Sequence, residues 1–381
     1  MNRAATAGCW LGTEDVAMSK IVQVLLHQGY GDAIGNDCLA IDRILRHDGW
    51  DTGIYARVVD KRIPADTAKP LSELSGLDDD DIVLYHLSTG TDLNFKVSGI
   101  PGRKVVIYHN ITPPGFFLSP SNYRMYKTCE EGLFQTRMMT GFVDYCLADS
   151  EFNRQELIRM GYRCPVDVQP ILIPFWEYDR EPDEDFMRRF SDGKVNILFT
   201  GRLAPNKKQG DLIQAFRVFH RLVPDSRLII AGAYDRSERY VDDLIEYVGD
   251  IGLSNDILFT GHIPFDKIIA LYRTASFFWC LSEHEGFCVP LVEAMYFGIP
   301  IIAYNSSAVP ETLGGSGVLL DDKQPELVAH VTKALMDDFG MRTGIIERQW
   351  MQLGSFSYDI AAARFRANLA KIIASFQEDS R

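Results

Sequence analysis

Short apolar runs recur along the chain at intervals that leave room for a helix between them. In the first half these runs are KIVQVLLH, TGIYAR, IVLYHL, KVVIYHN and VDYCLADS. The first interval contains DCLAIDRILRHDG, whose apolar residues have helical spacing and which ends at Gly49. Intervals of this length exclude β-hairpins. Strands separated by helices pair in parallel, so the pattern predicts a doubly wound α/β sheet.

The pattern stops near residue 175 and then begins again. The segment PFWEYDREPDEDFMRRFSDGK is rich in charge and proline and shows no apolar pattern, so we predict a linker over residues 176–194. After it, the runs VNILFTGR, RLIIAG, DILFTG, SFFWCLS and PIIAY alternate with helical stretches. The last segment, YDIAAARFRANLAKIIASF, is a long amphipathic helix with no strand after it.

The length of the chain, 381 residues, exceeds what one hydrophobic core usually serves. We therefore predict two Rossmann-like doubly wound domains that face each other across a cleft, with ligands bound at the carboxyl ends of both sheets. The predicted segments are a flexible leader (1–19), an N-terminal domain (20–175), the linker, a C-terminal domain (195–355) and a C-terminal helix (356–381) that packs back towards the N-terminal domain.

Charge and cysteine usage exclude several classes of protein. The net charge of −13, with both halves of the chain acidic, argues against nucleic-acid binding, which requires a basic surface. No apolar run approaches the roughly 20 residues needed to cross a bilayer. The seven cysteines are scattered and form no C-x-x-C pair, so neither a disulfide framework nor a zinc site is expected, and a reducing cytoplasm fits best. An anionic ligand must be held by a few local cations.

The strongest candidate site is SEHEGFCVPLVEAMYFGIP, over residues 282–300. Glu285 and Glu293 are eight residues apart, and Pro290 and Gly298 mark the start and the end of a short helix. Backbone amides in the loop before that helix would point along its N-terminus and bind an anion. They belong to Phe287, Cys288 and Val289.

A second candidate site lies in VNILFTGRLAPNKKQGDL. Arg202 follows a strand, and Lys207 and Lys208 stand at the start of the next helix. Cations at a helix N-terminus oppose its dipole, and a bound diphosphate would remove that conflict. A solvated basic turn is the alternative interpretation.

Together, GRLAPNKK and EHEGFCVPLVEAMYFGIPIIA resemble the donor-binding half of the family-four glycosyltransferases, retaining enzymes of the GT-B fold among the glycosyl transferases of group 1. The resemblance implies a nucleotide-sugar donor, metal-independent transfer with retention of configuration, and no cofactor. By position it implies that Arg202 and Lys207 hold the diphosphate. It also implies that Glu293 binds the ribose and that Glu285 reads the donor sugar. The remaining donor-binding residues that it implies are Lys208, Gly286, Phe287, Cys288 and Val289.

This sequence departs from the family pattern in two places. Cys288 stands where the family often has Gly, so the backbone there must be reachable with a Cβ atom. The extra Lys208 leaves open which of the two lysines contacts the phosphate.

The N-terminal half resembles the family in a less specific way. GYGDAIGND follows the first strand and resembles the glycine loop beneath the donor phosphates, where Gly31 and Gly35 would let backbone N–H groups come close. Asp32 in that loop is expected to face the acceptor or to cap a turn. His109, at the end of KVVIYH, matches the active-site His of the family; a structural His is the alternative. His86 and His27 end other strands and are weaker candidates.

Two further segments have simpler interpretations. GFFLSPSNYRMYKTCEEGLFQTRMMTGF mixes aromatic residues and Met with Arg124, Lys127 and Arg137. A helix packed on the core is the first interpretation, and an acceptor-side or lipid-facing surface is the second. The acidic run over 78–81 precedes a strand, so we expect an exposed turn there and no metal.

The resemblance implies transfer of a hexose from a nucleotide-diphosphate sugar to a glycan or lipid-linked acceptor in surface polysaccharide synthesis. By family analogy, we favour mannose from GDP-mannose over a UDP-hexose. The expected location is the cytoplasm, with peripheral contact at the inner face of the membrane. Two alternatives stay open: an epimerase of the GT-B fold acting on the nucleotide sugar itself, and an inactive relative serving as a binding subunit. The presence of Arg202, Lys207, Glu285 and Glu293 together counts against the inactive relative.

Overall fold

The structure, a computed structural model, describes residues 19–234 and 239–379. Except for Ser19, the predicted leader lies outside the described residues. The described residues form two parallel β-sheets, of seven and six strands, packed against helices. The predicted pair of doubly wound α/β domains is therefore confirmed.

The first sheet has the strand order β3-β2-β1-β4-β5-β6-β7, with parallel pairing throughout. Its strands are β1 (Ile21–Gln28), β2 (Thr52–Val59), β3 (Lys69–Pro70), β4 (Ile82–Leu87), β5 (Arg103–Tyr108), β6 (Tyr145–Ala148) and β7 (Val166–Val168). The order reverses between β1 and β4, so the loops after these two strands diverge and open a crevice at the carboxyl edge of the sheet.

The second sheet has the order β10-β9-β8-β11-β12-β13 and is also parallel. Its strands are β8 (Val195–Thr200), β9 (Ser226–Ala231), β10 (Ile257–Gly261), β11 (Phe277–Cys280), β12 (Ile301–Tyr304) and β13 (Val318–Leu320). Here the reversal falls between β8 and β11. The two candidate motifs of this half follow these two strands, so both lie at the switch point where a doubly wound sheet binds its ligand.

Thirteen α-helices lie within the described ranges. They are α1 (Ala33–His47), α2 (Leu93–Lys96), α3 (Tyr123–Met138), α4 (Glu151–Met160), α5 (Glu184–Arg188), α6 (Gln209–Leu222), α7 (Tyr240–Asp250), α8 (Phe265–Thr274), α9 (Val289–Tyr296), α10 (Val309–Leu313), α11 (Pro325–Asp337), α12 (Phe339–Gly354) and α13 (Tyr358–Asp379). None of those described combines the length and the apolarity that a membrane span requires.

The helix α3 combines features of both interpretations given to its segment. Its residues Cys129, Gly132 and Thr136 are buried, so one face packs on the N-terminal core. The opposite side exposes Tyr123 and Phe134 to solvent, at 59% and 60% of their surface. The helix is therefore packed and also presents aromatic surface.

The segment predicted as the linker contains buried aromatic residues. Tyr178 and Phe190 are 5% and 4% exposed, and each joins a hydrophobic cluster. A short helix, α5, lies between them. The acidic run before β4 is an exposed turn, as expected, except at its last residue. Asp81 is buried and accepts a hydrogen bond from the N–H of Lys20 at 2.6 Å.

The C-terminal helix α13 packs against the N-terminal domain. Phe365 is fully buried in a cluster that includes Ile41 of α1 and Ile107 of β5. At the rim of this contact the guanidinium of Arg366 donates two hydrogen bonds to the carboxylate of Asp48, at 2.6 and 2.9 Å. The end of the chain thus completes the core of the first domain.

This packing predicts that Phe365→Ala lowers the free energy of unfolding by about 3–5 kcal/mol, because it removes a fully buried aromatic side chain and leaves a cavity. The matched control is Phe339→Ala on α12, where the ring is 71% exposed and the loss should stay within about 0.5 kcal/mol. Urea unfolding of both variants measures the difference. Equal losses would show that α13 does not contribute to the N-terminal core.

Candidate active site

The two motifs of the C-terminal domain come together in one ion pair. Lys207 ends a 3-10 turn after β8, and its Nζ lies 2.5 Å from Oε2 of Glu285, in the loop after β11. The two side chains are 23% and 7% exposed. Burial on its own lowers the pKa of Lys207, but the charge of Glu285, the hydrogen bond to it and the nearby Cys288 and Cys280 together raise that pKa. Lys207 is therefore held as an ammonium beside Glu285.

The other two cations of the motif occupy different surroundings. Lys208 adopts a left-handed conformation (φ 55°) at the start of α6, and its Nζ lies 2.9 Å from Glu283. Arg202 is exposed, and its guanidinium forms no hydrogen bond or ion pair with any described residue. Arg202 thus has its donors available for a ligand, whereas both lysines already contact a carboxylate.

The loop before α9 presents backbone donors, as the sequence predicts. Cys288 caps α9 in the left-handed conformation, with φ at 75°. A side chain at such a position costs about 1–2 kcal/mol relative to Gly, the residue that the family often has there. Among the described residues, the N–H groups of Phe287, Cys288 and Val289 have no acceptor. They are free to bind an anion at the N-terminus of the helix.

Two tyrosines hold Glu293. The hydroxyl of Tyr178 donates to Oε1 at 2.7 Å, and the hydroxyl of Tyr272 donates to Oε2 at 2.5 Å. Burial raises the pKa of Glu293, and the two hydrogen bonds counteract that rise. Each carboxylate oxygen keeps a second lone pair, so the group can still accept ribose hydroxyls. The sequence offered no signal for either tyrosine, since one lies in the predicted linker and the other in an ordinary amphipathic helix.

The loop between β11 and α9 also contacts the N-terminal domain directly. The hydroxyl of Ser150 donates to the carbonyl of Gly286 at 2.7 Å, and Nε2 of His284 lies 2.6 Å from Oδ1 of Asn110. A Cβ atom on Gly286 would come within 2.6 Å of the Cβ of Asn110, so only Gly allows this approach. Sequence reasoning missed Ser150, Asn110 and His284.

The glycine loop after β1 is only partly available to a phosphate. Gly31 has φ at 73°, and a Cβ there would meet no atom within 4 Å. Asp32 caps α1 and accepts the N–H of Gly35 at 2.6 Å, which agrees with the turn-capping alternative. That N–H is thus already used. A Cβ on Gly35 would approach the carbonyl of Gly29 to 2.6 Å, so close packing of this loop explains the glycine.

The side chain of His109 is enclosed by protein and not open to the cleft. Its side chain is 1% exposed, and both ring nitrogens have partners: Nδ1 lies 3.0 Å from Oδ2 of Asp149, and Nε2 lies 2.8 Å from Nδ1 of His86. In this arrangement the ring has no free donor for a sugar hydroxyl. The residue is buried beneath the cleft. His27, the third strand-end histidine, is exposed.

Ligand-type atoms lie within 4.8 Å of one another in two groups of described residues, which are Asp37 with His86 and His109, and Cys280 with Glu285 and Cys288. In the second group the ammonium of Lys207 lies 2.5 Å from Glu285, so positive charge already stands where a metal ion would bind. In the first group the two imidazoles are hydrogen-bonded to each other.

We predict a pH dependence of stability from His284. Burial lowers its pKa from 6.5 to about 4. The unfolded chain therefore binds a proton at this residue more readily than the folded chain does, and stability falls as the pH drops from about 6.5 towards 4. Between pH 7 and pH 5 the loss from this residue should be about 2 kcal/mol.

Urea unfolding of wild type and His284→Gln at both pH values isolates this contribution, because Gln can still donate to Asn110 but does not titrate. His330→Gln, at an exposed position of α11, is the control and should retain the full pH dependence. The same slope in His284→Gln as in wild type would contradict the assignment.

The chain is similar to known glycosyltransferases. Residues 181–349 match the model of the family described as glycosyl transferases group 1. The chain is 27% identical over 256 residues to the O-antigen chain mannosyltransferase B of Escherichia coli, covering 64% of each protein. It is 28% identical over 182 residues to a GDP-mannose-dependent alpha-(1-6)-phosphatidylinositol monomannoside mannosyltransferase of Mycobacterium tuberculosis, covering 45% of this chain and 46% of the relative. The matches thus span about half to two-thirds of these relatives.

The fold is shared with solved structures over nearly the whole chain. HepE of Anabaena, solved in complex with UDP and glucose, superimposes with a TM-score of 0.70 at 18% identity, covering 92% of this chain and all of HepE. WaaG, a glycosyltransferase involved in lipopolysaccharide biosynthesis, gives a TM-score of 0.66 at 11% identity, covering 90% of this chain and 98% of WaaG. The family match lies in the C-terminal half of the chain, where residues 181–349 are similar to the group 1 glycosyl transferases, and the likeness to these solved structures shows that the chain has the GT-B fold.

Proposed function

We propose that this protein transfers mannose from GDP-mannose to a glycan or lipid-linked acceptor, with retention of configuration and without a metal ion, in the synthesis of a surface polysaccharide. The observation that carries the proposal is the ion pair between Lys207 and Glu285, in the loops after β8 and β11, with unused backbone amides at the start of α9. Arg202 lies in the same loop as Lys207, and Glu293 lies in α9. Such a set offers cations and N–H groups to a diphosphate and carboxylates to sugar hydroxyls.

The choice of mannose and of GDP rests on the relatives. Two of them, from Escherichia coli and Mycobacterium tuberculosis, are named mannosyltransferases, and the second is named as GDP-mannose-dependent. HepE binds UDP and glucose and has the same fold at lower identity, so a UDP-hexose is the competing donor. Experiment must therefore first decide which nucleoside diphosphate, GDP or UDP, the donor carries.

The acceptor is proposed from the same relatives, which act on O-antigen and on a phosphatidylinositol mannoside by their names. The exposed aromatic residues Tyr123 and Phe134 of α3, near the exposed cations Arg124, Lys127 and Arg137, suit peripheral contact with a membrane that carries a lipid-linked acceptor. The cysteines are scattered along the sequence and form no C-x-x-C pair, which fits a cytoplasmic location.

In the proposed reaction, the donor diphosphate takes the place of Glu285 beside Lys207 and also engages Arg202 and the amides at the start of α9. These groups then stabilise the negative charge that develops on the departing nucleoside diphosphate. Glu285, released from the ammonium, accepts hydroxyls of the donor sugar. Retention rests on the family resemblance.

Two other functions remain as outcomes of simple assays. Incubation of the enzyme with the donor alone would yield an epimer if the protein were an epimerase. Tight nucleotide binding without turnover on any acceptor would indicate a binding subunit. The anomeric configuration of a mannosylated product, read by NMR, tests retention directly.

We predict that GDP stabilises the protein more than UDP, ADP or dTDP does, with EDTA present throughout. A nucleotide at about 100 times its dissociation constant adds roughly 2.7 kcal/mol to the folded state, a readable rise in melting temperature. A larger shift with UDP would move the proposal to a UDP-hexose. The absence of any shift, with EDTA and with Mg²⁺ or Mn²⁺, would refute the nucleotide site.

We also predict that Lys207 contacts the phosphate and that Lys208 does not. Lys207 lies in the pocket with Glu285, whereas Lys208 pairs with Glu283 and lies 6.0 Å from the ring of Phe116. By calorimetry, Lys207→Met should weaken the binding of the preferred nucleotide about tenfold or more, a loss of about 1.4 kcal/mol, and Lys208→Met less than about threefold.

Because Lys207→Met leaves the buried Glu285 without its partner, it can also destabilise the fold. The double variant Lys207→Met/Glu285→Gln removes both charges and serves as the folded reference. Weaker binding in Lys208→Met than in Lys207→Met would reverse the assignment.

A further inference from the structure

Four buried polar side chains form a hydrogen-bonded line across the first sheet. They are Gln23 of β1, His86 of β4, His109 just after β5 and Asp149 just after β6, on four strands that are neighbours in the sheet. The distances along the line are 3.0 Å, 2.8 Å and 3.0 Å. Polar groups this deep in a domain are retained only when each has a partner, so the positions of their protons can be assigned.

The first assignment starts at Gln23. Its Nε2 lies 3.0 Å from the carbonyl of Cys38, which can only accept a hydrogen bond. The amide must therefore place its NH2 group towards Cys38 and its Oε1 towards His86. Since Oε1 is an acceptor, Nε2 of His86 carries a proton and donates it.

The second assignment follows along the line. Burial lowers the pKa of His86 well below its usual value, so the ring is neutral and its Nδ1 is an acceptor. The partner atom, Nε2 of His109, must then carry a proton. On the other side of the ring, Nδ1 of His109 faces the carboxylate of Asp149, which also accepts. Both nitrogens of His109 are donors, and this describes an imidazolium.

The surrounding charges agree with a protonated His109. Burial on its own lowers the pKa of this imidazole, but the nearby Asp149, Asp37 and Asp32 raise it above 6.5 overall. Burial also raises the pKa of Asp149, so that both partners favour keeping one proton between them. We place it on the imidazole, the stronger base of the two in water. Burial also raises the pKa of the neighbouring Asp37, to about 7.

We propose that Gln23, His86 and Asp149 are positioning residues. They hold His109 doubly protonated beneath the loop between β11 and α9. The backbone carbonyl oxygen of His109 lies 3.1 Å from the place that a Cβ on Gly286 would take, so the backbone of His109 lies against the loop between β11 and α9. The functional meaning of the protonated ring rests on the proposed function. The proton on His109 offsets the charge of Asp149, so this side of the cleft repels a departing nucleoside diphosphate less than it would with a neutral imidazole.

A metal ion is the competing explanation for two histidines and Asp37 in one place. The nitrogens of His86 and His109 are 2.8 Å apart, an ordinary hydrogen-bond length. Two imidazoles on a tetrahedral zinc ion, at about 2.05 Å each, would hold their nitrogens about 3.3 Å apart. The distance therefore favours a proton between the rings.

The proton assignment is tested by NMR of the full-length protein labelled with ¹⁵N-histidine at pH 7, with resonances assigned by single His→Asn variants. We expect His109 to show two protonated nitrogens and His86 to show only Nε2 protonated. A singly protonated His109 would overturn the proposal, and so would one equivalent of zinc by elemental analysis. The NMR measurement needs no enzymatic turnover. The proton assignment is therefore tested independently of whether the protein is a mannosyltransferase.

The functional consequence is tested with Asp149→Asn, which keeps the shape of the side chain and removes the charge. As pH rises, activity should fall when His109 loses its proton, and in Asp149→Asn this fall should occur at least about one pH unit lower than in wild type. At pH 7.5 we expect kcat to drop about tenfold or more with KM changed less than about threefold. Asp37→Asn removes the titration of Asp37, so any change in the pH profile that is due to Asp37 can be distinguished from the change due to His109. Asp250→Asn, on the exposed side of α7, is the matched control.

A second pair of variants separates positioning from folding. His86→Asn retains an acceptor near the Nδ1 position and should keep His109 protonated, whereas His86→Phe removes the acceptor and should lower both kcat and the pH at which activity falls. Melting temperature and nucleotide affinity are measured for each variant. An unshifted pH profile in Asp149→Asn and His86→Phe would overturn the positioning role.

Discussion

The ion pair between Lys207 and Glu285 is the contact on which the C-terminal site depends. It joins the loops after β8 and β11, the two strands between which the second sheet reverses direction. Both side chains are largely removed from water, so either charge without the other would carry a large desolvation cost. In the proposed function, a diphosphate at Lys207 replaces one negative partner by another and releases Glu285. The proposed phosphate-binding and sugar-binding roles of the two motifs are then coupled through one contact.

The N-terminal domain forms hydrogen bonds with the part of the C-terminal domain that surrounds this site. Ser150 donates to the carbonyl of Gly286, one residue from the ion pair, and Glu311 of α10 accepts the N–H of Glu151 at 2.8 Å, at the start of α4. A carboxylate at a helix N-terminus is favoured by the helix dipole. The loop that carries Glu285 is therefore held from both domains, and opening of the cleft must break these hydrogen bonds before the loop can move.

The sequence predicts the parts of this structure that have a local signature. Strands such as β4 are buried on both faces and appear as continuous apolar runs, whereas β3 and β7 have two and three residues and show no pattern. Glu285 and Glu293 are recognisable by spacing. Tyr178 is 115 residues from Glu293 and Ser150 is 136 residues from Gly286, so only the tertiary fold brings them together. The enclosure of His109 has the same origin, because its partners come from neighbouring strands.

A chain with a net negative charge can still bind the proposed anionic donor, because the position of each charge matters more than the total. At physiological ionic strength, exposed charges are screened over about 8 Å, so a net charge of −13 spread over the surface acts weakly inside the cleft. Charges in a water-poor pocket are screened much less. In the proposed site, Lys207 is largely removed from water, the amides at the start of α9 add partial positive charge, and Arg202 adds an exposed guanidinium. These few local donors, and not the net charge of the chain, would therefore decide how strongly a diphosphate is held.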